Sequence, residues 1–215
     1  CGSDMTRRRL PRGLYLLTPD EHDGERLLAR TLPLLPFASC VQLRAKGLDR
    51  HVLLATGRRL RTACRESDVA FIVNDDPGLA RELDADGAHL GEDDASVGDA
   101  RRLLGDGAII GVSCYDVLAR ARRLASEGAD YLAFGAFFPS PTKPRARRAS
   151  LQLLSDSAVL GLPRVAIGGI TPENGGPLVA AGADLLAVIS GVFDAADPAA
   201  AARAYLSCFK DPTPA

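Results

Sequence analysis

The 215-residue sequence predicts a single (β/α)8 TIM barrel of the α/β class, and three observations carry that prediction. Short apolar runs rich in branched residues recur eight times along the chain. Helix-like stretches with one apolar stripe lie between them. The segment GADYLA at 128–133 returns as GADLLA at 182–187, 54 residues later, which is about the length of two βα units. Roughly eight such units fill the chain. An open doubly wound sheet is the competing arrangement, but no Gly-x-Gly-x-x-Gly follows the first run and no Walker loop occurs.

The eight runs are LYLLT (14–18), CVQLR (40–44), VAFIVND (69–75), GAHLG (87–91), AIIGVS (108–113), YLAFG (131–135), RVAIGG (164–169) and DLLAVIS (184–190). Nearly unbroken apolar character marks strands buried on both faces, as parallel barrel strands are. Between the fifth and sixth runs, DVLARARRLASEG (116–128) puts Val117, Leu118, Ala121, Leu124 and Ala125 on one helical stripe, with Gly128 as its stop. After the seventh run, Gly168-Gly169-Ile170-Thr171-Pro172 reads as a strand turning into a helix, with Thr171 as N-cap and Pro172 at the first helical position. The barrel domain is assigned to 13–209, the tail to 210–215, and 1–12 to an N-terminal tail in which CGSD before Met5 reads as a cloning scar.

Composition narrows the function. Apolar residues make up 47% and charged residues 25%, and a formal net charge of −1 gives no reason to expect nucleic acid or an anionic membrane as partner. The five cysteines lack metal-finger spacing, and Cys40 and Cys114 sit in apolar runs, which fits a reducing, cytoplasmic setting. Arg7-Arg8-Arg9 is followed by no sustained apolar segment or cleavage site, so it is not read as targeting. No stretch is apolar and long enough to span a bilayer.

In a barrel the chemistry gathers where strands end. The second strand leaves through Gln42, Arg44 and Lys46, whose alternation turns all three towards the mouth. The third leaves through Asn74-Asp75-Asp76, the fourth through Gly91-Glu92-Asp93-Asp94 and the fifth through Ser113. The sixth enters FFPSPTKPRARRA, with Ser140, Pro141, Thr142 and Lys143; the seventh and eighth bring Gly168-Gly169 and Ile189-Ser190. Acidic clusters on adjacent strand ends suit Mg²⁺, held by two carboxylates plus water and phosphate oxygens; each is also what a helix N-cap supplies. Bare amides at Gly168-Gly169, with Ser190 beside them, suit a phosphate. Arg44, Lys46 and Lys143 suit a polyanionic substrate. His22, His51 and His89 form no ligand or triad pattern; His89 is expected in the core or behind the site, and no base pairs with Cys114.

Seven segments, VQLRAKG, IVNDD, DGAHLGEDDA, GVSCYD, YLAFGAFFPSPTKP, VAIGGITPEN and AVISGVF, in this order and spacing, resemble the thiamine-phosphate synthases from the first strand to about Tyr205. The resemblance implies a (β/α)8 barrel that joins hydroxymethylpyrimidine diphosphate to thiazole phosphate, giving thiamine phosphate and pyrophosphate. It implies Mg²⁺ on Asp75 and Asp94, with Gln42, Arg44, Lys46, Asn74, Ser113 and Lys143 around the pyrimidine diphosphate. Ser140, Pro141, Thr142, Gly169, Ile189 and Ser190 are implied to receive the thiazole phosphate, and Lys143, Arg44 and Ser113 to be catalytic. The chain departs from the family pattern at Glu92-Asp93, where Gln-Glu is usual, and at Ser140, where Thr is common. A thiazole tautomerase and a non-catalytic thiazole- or thiamine-phosphate binder are the rival readings. The intact Asp75, Asp94 and Gln42-x-Arg44-x-Lys46 favour the synthase. The partners expected are small molecules, and a homodimer is admissible.

Overall fold

The fold is described from a computed structural model, which covers residues 10–44, 46–139 and 147–210. Eight parallel strands close into a barrel in sequence order: β1 (Gly13–Leu17), β2 (Ala38–Leu43), β3 (Ala70–Asn74), β4 (Gly87–Leu90), β5 (Ile109–Tyr115), β6 (Tyr131–Gly135), β7 (Arg164–Ile167) and β8 (Leu185–Val188). β8 pairs back onto β1, with Leu14 opposite Leu186 and Leu16 opposite Val188. The helices between them are α1 (Gly24–Thr31), α2 (Arg50–Glu66), α3 (Pro77–Glu82), α4 (Val97–Leu104), α5 (Leu118–Ser126), α6 (Leu151–Asp156) and α7 (Pro172–Ala180). After β8 come the four-residue α8 (Ser190–Phe193) and α9 (Pro198–Leu206). The eighth run is thus shorter than its sequence suggests, and Ser190 opens α8 instead of ending a strand. The fifth is longer and carries an irregularity between Ser113 and Tyr115.

Because side chains alternate across a strand, each buried strand serves two cores. Tyr15, Leu17, Cys40, Ala70, Ile72, Ile109, Tyr131, Ala133, Val165, Leu185 and Ala187 pack together inside the barrel. Their neighbours, including Leu14, Leu16, Val41, Phe71, Val73, Leu132, Phe134 and Leu186, join the larger cluster beneath the helices. Several helix starts are fixed by side-chain caps: Asp23 accepts from Glu25 N at 2.8 Å, Asp76 from Leu79 N at 2.9 Å and Asp197 from Ala200 N at 2.9 Å.

The 54-residue repeat has a structural meaning. Gly128 and Gly182 take φ of 96° and 108°, the conformation that stops a helix. The aspartates that follow act alike, Asp130 accepting from Ile110 N at 2.7 Å and Asp184 from Arg164 N at 2.8 Å. Asp86 does the same to Phe71 N at 2.8 Å. Each aspartate, placed just before an even-numbered strand, latches the start of the odd-numbered strand before it.

Candidate functional site

A cavity of about 940 Å³ opens at the C-terminal ends of the strands. Among its lining are all the described residues singled out from sequence: Gln42, Arg44, Lys46, Asn74, Asp75, Asp94, Ser113, Gly169, Ile189 and Ser190. Ser140, Pro141, Thr142 and Lys143 lie outside the described residues. Strand alternation explains the convergence. Continuing the inward-facing series upward along each strand leads from Cys40 to Gln42 and Arg44, from Ile72 to Asn74, from Ile109 to Ser113 and from Ala187 to Ile189.

The acidic residues divide their work. Asp75 sits just past β3 at φ 62°, a left-handed conformation that aspartate tolerates better than most residues. Its carboxyl is held above the usual range, first by burial, then by a hydrogen bond with Asp94 and by the charge of Asp94; Lys46 and Asn74 pull the other way. Asp94 Oδ2 accepts from Gly91 N at 2.6 Å, which folds the β4 exit back towards the cavity. Asp76 is the helix cap that an acidic run also predicts, and Glu92 and Asp93 are exposed to solvent. The unusual Glu92 therefore does not crowd Asp75 and Asp94; it lies 3.9 Å from Arg120.

Arg44 is anchored where Lys46 is exposed. Thr18, fully buried, binds the Arg44 backbone twice, accepting from its N–H at 2.8 Å and donating to its carbonyl at 2.9 Å. The guanidinium meets Asp20 at 2.7 Å with its side chain 17% exposed. Across the mouth, Gly169 has φ 64°, and an added Cβ would lie 2.3 Å from the Pro139 carbonyl oxygen. Asn174 braces this turn, accepting from Thr171 N at 2.8 Å and donating to the Gly169 carbonyl at 3.1 Å.

The floor of the cavity is polar in a way the sequence does not announce. Gln42 Nε2 donates to Tyr15 Oη at 2.8 Å, and Tyr15 Oη lies 2.8 Å from Tyr131 Oη. Tyr131 Oη is 2.9 Å from His89 Nδ1, and His89 Nε2 is 2.9 Å from Ser113 Oγ. Burial pushes both tyrosine hydroxyls well above their ordinary value, so they keep their protons. It pushes His89 down to about 4 against the opposing pull of Asp94, so the imidazole is neutral at pH 7.

An unfolded chain binds the His89 proton near pH 6.5, the folded chain only near 4. The stability from this group is therefore complete above about pH 6.5 and lost as pH falls towards about 4, by roughly 1.4 kcal/mol per unit. Thermal unfolding followed from about pH 7 to about pH 4.5 should show a steeper loss in the wild type than in His89→Asn; parallel curves would contradict a buried neutral His89.

A family model described as thiamine monophosphate synthase matches residues 14–192. The chain belongs to the thiamine-phosphate synthase family. It is 58% identical to the thiamine-phosphate synthase of Xanthomonas campestris pv. campestris strain 8004, over 92% of this chain and 96% of that protein. It is 50% identical to that of Methylococcus capsulatus strain Bath, over 94% and 91%. Among solved structures, the thiamine phosphate pyrophosphorylase from Pyrococcus furiosus superposes with a TM-score of 0.80 at 32% identity, covering 92% of this chain and 95% of that one. The 3-hexulose-6-phosphate synthase barrel, at 16% identity and a TM-score of 0.70, shares the fold alone. As a family member the chain is a transferase of thiamine biosynthesis.

Within this thiamine-phosphate synthase barrel, Tyr15 lines the cavity and Tyr131 lies just behind it, and sequence reasoning singled out neither; His89, expected in the core or behind the site, is buried yet lines the cavity. The available signal was the hydroxyl itself: a tyrosine inside an otherwise apolar strand needs a buried partner. Cys114, expected to be inert, is buried with its thiol pushed up to about 12 by burial. Among the described residues no helix is long and apolar enough to cross a membrane.

Proposed function

We propose that the chain condenses hydroxymethylpyrimidine diphosphate with thiazole phosphate at this barrel mouth, forming thiamine phosphate and pyrophosphate. The observation that carries the reading is the meeting of Asp75 and Asp94 in one cavity with Arg44 and Lys46. A carboxyl whose ionisation is opposed by burial and by a second carboxylate beside it, next to cations, suits a divalent metal with a polyanion. A cavity of about 940 Å³ lies at the upper end of the range for small-molecule sites, which suits two small substrates side by side.

Asp75 and Asp94 fit Mg²⁺ by donor chemistry: both offer hard carboxylate oxygens, and these two residues would hold the ion beside the diphosphate. When bound, Mg²⁺ neutralises charge on the leaving diphosphate. Arg44, Lys46 and Lys143 act on the same charge from the protein side, and Ser113 donates to it. The C–O bond to diphosphate breaks with its electron pair leaving on oxygen, the aminopyrimidine supports the methylene cation, and the thiazole nitrogen lone pair forms the new C–N bond. No protein nucleophile or strong base is needed, in keeping with an inert Cys114 and a neutral His89. Gln42 and Asn74 orient the pyrimidine. Ser140, Pro141 and Thr142, with Gly169, Ile189 and Ser190, receive the thiazole phosphate and hold the two reacting atoms in line.

The test is direct. With both substrates and Mg²⁺, thiamine phosphate should appear by mass spectrometry, and chelator should abolish it; unchanged substrates with folded protein and Mg²⁺ would overturn the reading. For the phosphate cradle, Gly169→Ala should raise KM for thiazole phosphate about tenfold or more, because the new methyl pushes on the Pro139 carbonyl. KM for the pyrimidine diphosphate should stay within about twofold, and a reversed pattern would reassign Gly169 to the other substrate.

A further inference from the structure

The polar floor is a chain with a direction. It crosses five strands, from Gln42 on β2 to Tyr15 on β1, Tyr131 on β6, His89 on β4 and Ser113 on β5. Gln42, Tyr15, Tyr131 and His89 are 2%, 1%, 0% and 9% exposed, so solvent cannot reorder their protons. The rings are also fixed: His89 stacks on Tyr131 with centroids 5.5 Å apart, and Tyr15 meets Tyr131 edge-on at 6.0 Å.

An amide nitrogen can only donate, so Tyr15 Oη accepts from Gln42. The Tyr15 proton then points to Tyr131, and the Tyr131 proton to His89 Nδ1. With Nδ1 accepting, a neutral imidazole carries its proton on Nε2 and donates to Ser113 Oγ. The Ser113 hydrogen is left over at one end, and Ser113 lines the cavity. At the other end, Gln42 Oε1 is buried with no hydrogen-bond partner.

We infer that this relay is polarised one way, from Gln42 to Ser113, and that Tyr131 and His89 are positioning residues that make Ser113 a donor towards anionic oxygens. The polarity matters because a diphosphate oxygen only accepts: with the chain reversed, Ser113 would donate to His89 and turn lone pairs towards the anion. The inference rests on the synthase reading for the identity of the anion, but the proton order is a property of the protein alone.

The experiment is ¹⁵N NMR of the full chain labelled at histidine, with the His89 signal assigned by its loss in His89→Asn. At neutral pH His89 is expected as the Nε2–H tautomer; the Nδ1–H tautomer would overturn the relay. This readout needs no turnover, so it stands or falls separately from the synthase assay. Tyr131→Phe removes one hydroxyl and keeps the ring. It should release the tautomer to a mixture and weaken the binding of inorganic pyrophosphate with Mg²⁺ about tenfold, the low end for a hydrogen bond to a charged group. KM for thiazole phosphate should not change. A Tyr131→Phe protein with wild-type tautomer and wild-type pyrophosphate affinity would show the chain to be packing only.

Discussion

Asp75→Asn is expected to lower turnover at least about a hundredfold, while thiazole phosphate binds as in the wild type. The amide keeps the volume and the left-handed backbone, so only the charge is tested. The same change should stabilise the metal-free protein. The folded-state pKa of Asp75 is raised, so its ionisation opposes folding as pH rises through the carboxylate range, and at neutral pH the full penalty is present. A neutral amide at this position carries no such penalty, so Tm without Mg²⁺ should rise at pH 7, and the gain should shrink as pH falls towards about 4. Added Mg²⁺ with pyrophosphate should raise the Tm of the wild type and not of the variant. Equal losses of turnover and of thiazole phosphate binding would refute the proposed division of the site.

Gly111→Ala is expected to disrupt the barrel interior. Gly111 lies on β5 directly opposite Tyr131, and an added Cβ would sit 1.8 Å from Tyr131 Cζ and 2.3 Å from its hydroxyl oxygen. The ring cannot yield, because it is fully buried and stacked on His89. Overpacking of this kind costs about 1–3 kcal/mol or more, which for a chain of this size lowers Tm by roughly 2–4 °C per kcal/mol. Activity should fall with it, since the displaced hydroxyl is the middle of the relay. Adding Tyr131→Leu should recover stability but not activity, because it relieves the clash without restoring the hydrogen bonds. A Gly111→Ala protein that melts within about 1 °C of the wild type would show that the ring has room to move.

The barrel was legible because eight apolar runs and a repeated GAD-x-LA are direct consequences of strands buried on both faces and helices stopped by glycine. Strand ends were less so: the irregularity after Ser113 and the early start of α8 at Ser190 depend on pairing with neighbours far away in sequence. At the site, Asp75, Asp94, Arg44 and Ser113 stood out because polar residues at the exits of apolar strands are conspicuous. Asp76 looked equally acidic and is a helix cap, a distinction that requires the Leu79 amide to be seen 2.9 Å away. Tyr15 and Tyr131 hid within apolar runs, since a tyrosine there also satisfies the strand pattern, and only the closed barrel brings residues 116 positions apart to 2.8 Å.

The aspartate latches tie β3 to β4, β5 to β6 and β7 to β8, all between neighbours in the chain. The pairing of β8 with β1 has no such local help, because it joins Gly13 to Leu185. On a ribosome adding about 5–20 residues per second, β1 therefore waits roughly ten to thirty seconds for its second neighbour. Through that interval its edge is open to other nascent chains. The polar floor, with Tyr15 on β1 and Tyr131 well beyond the middle of the chain, is enclosed only when the barrel closes late in synthesis. A pause in translation before β8 would thus threaten solubility and activity together.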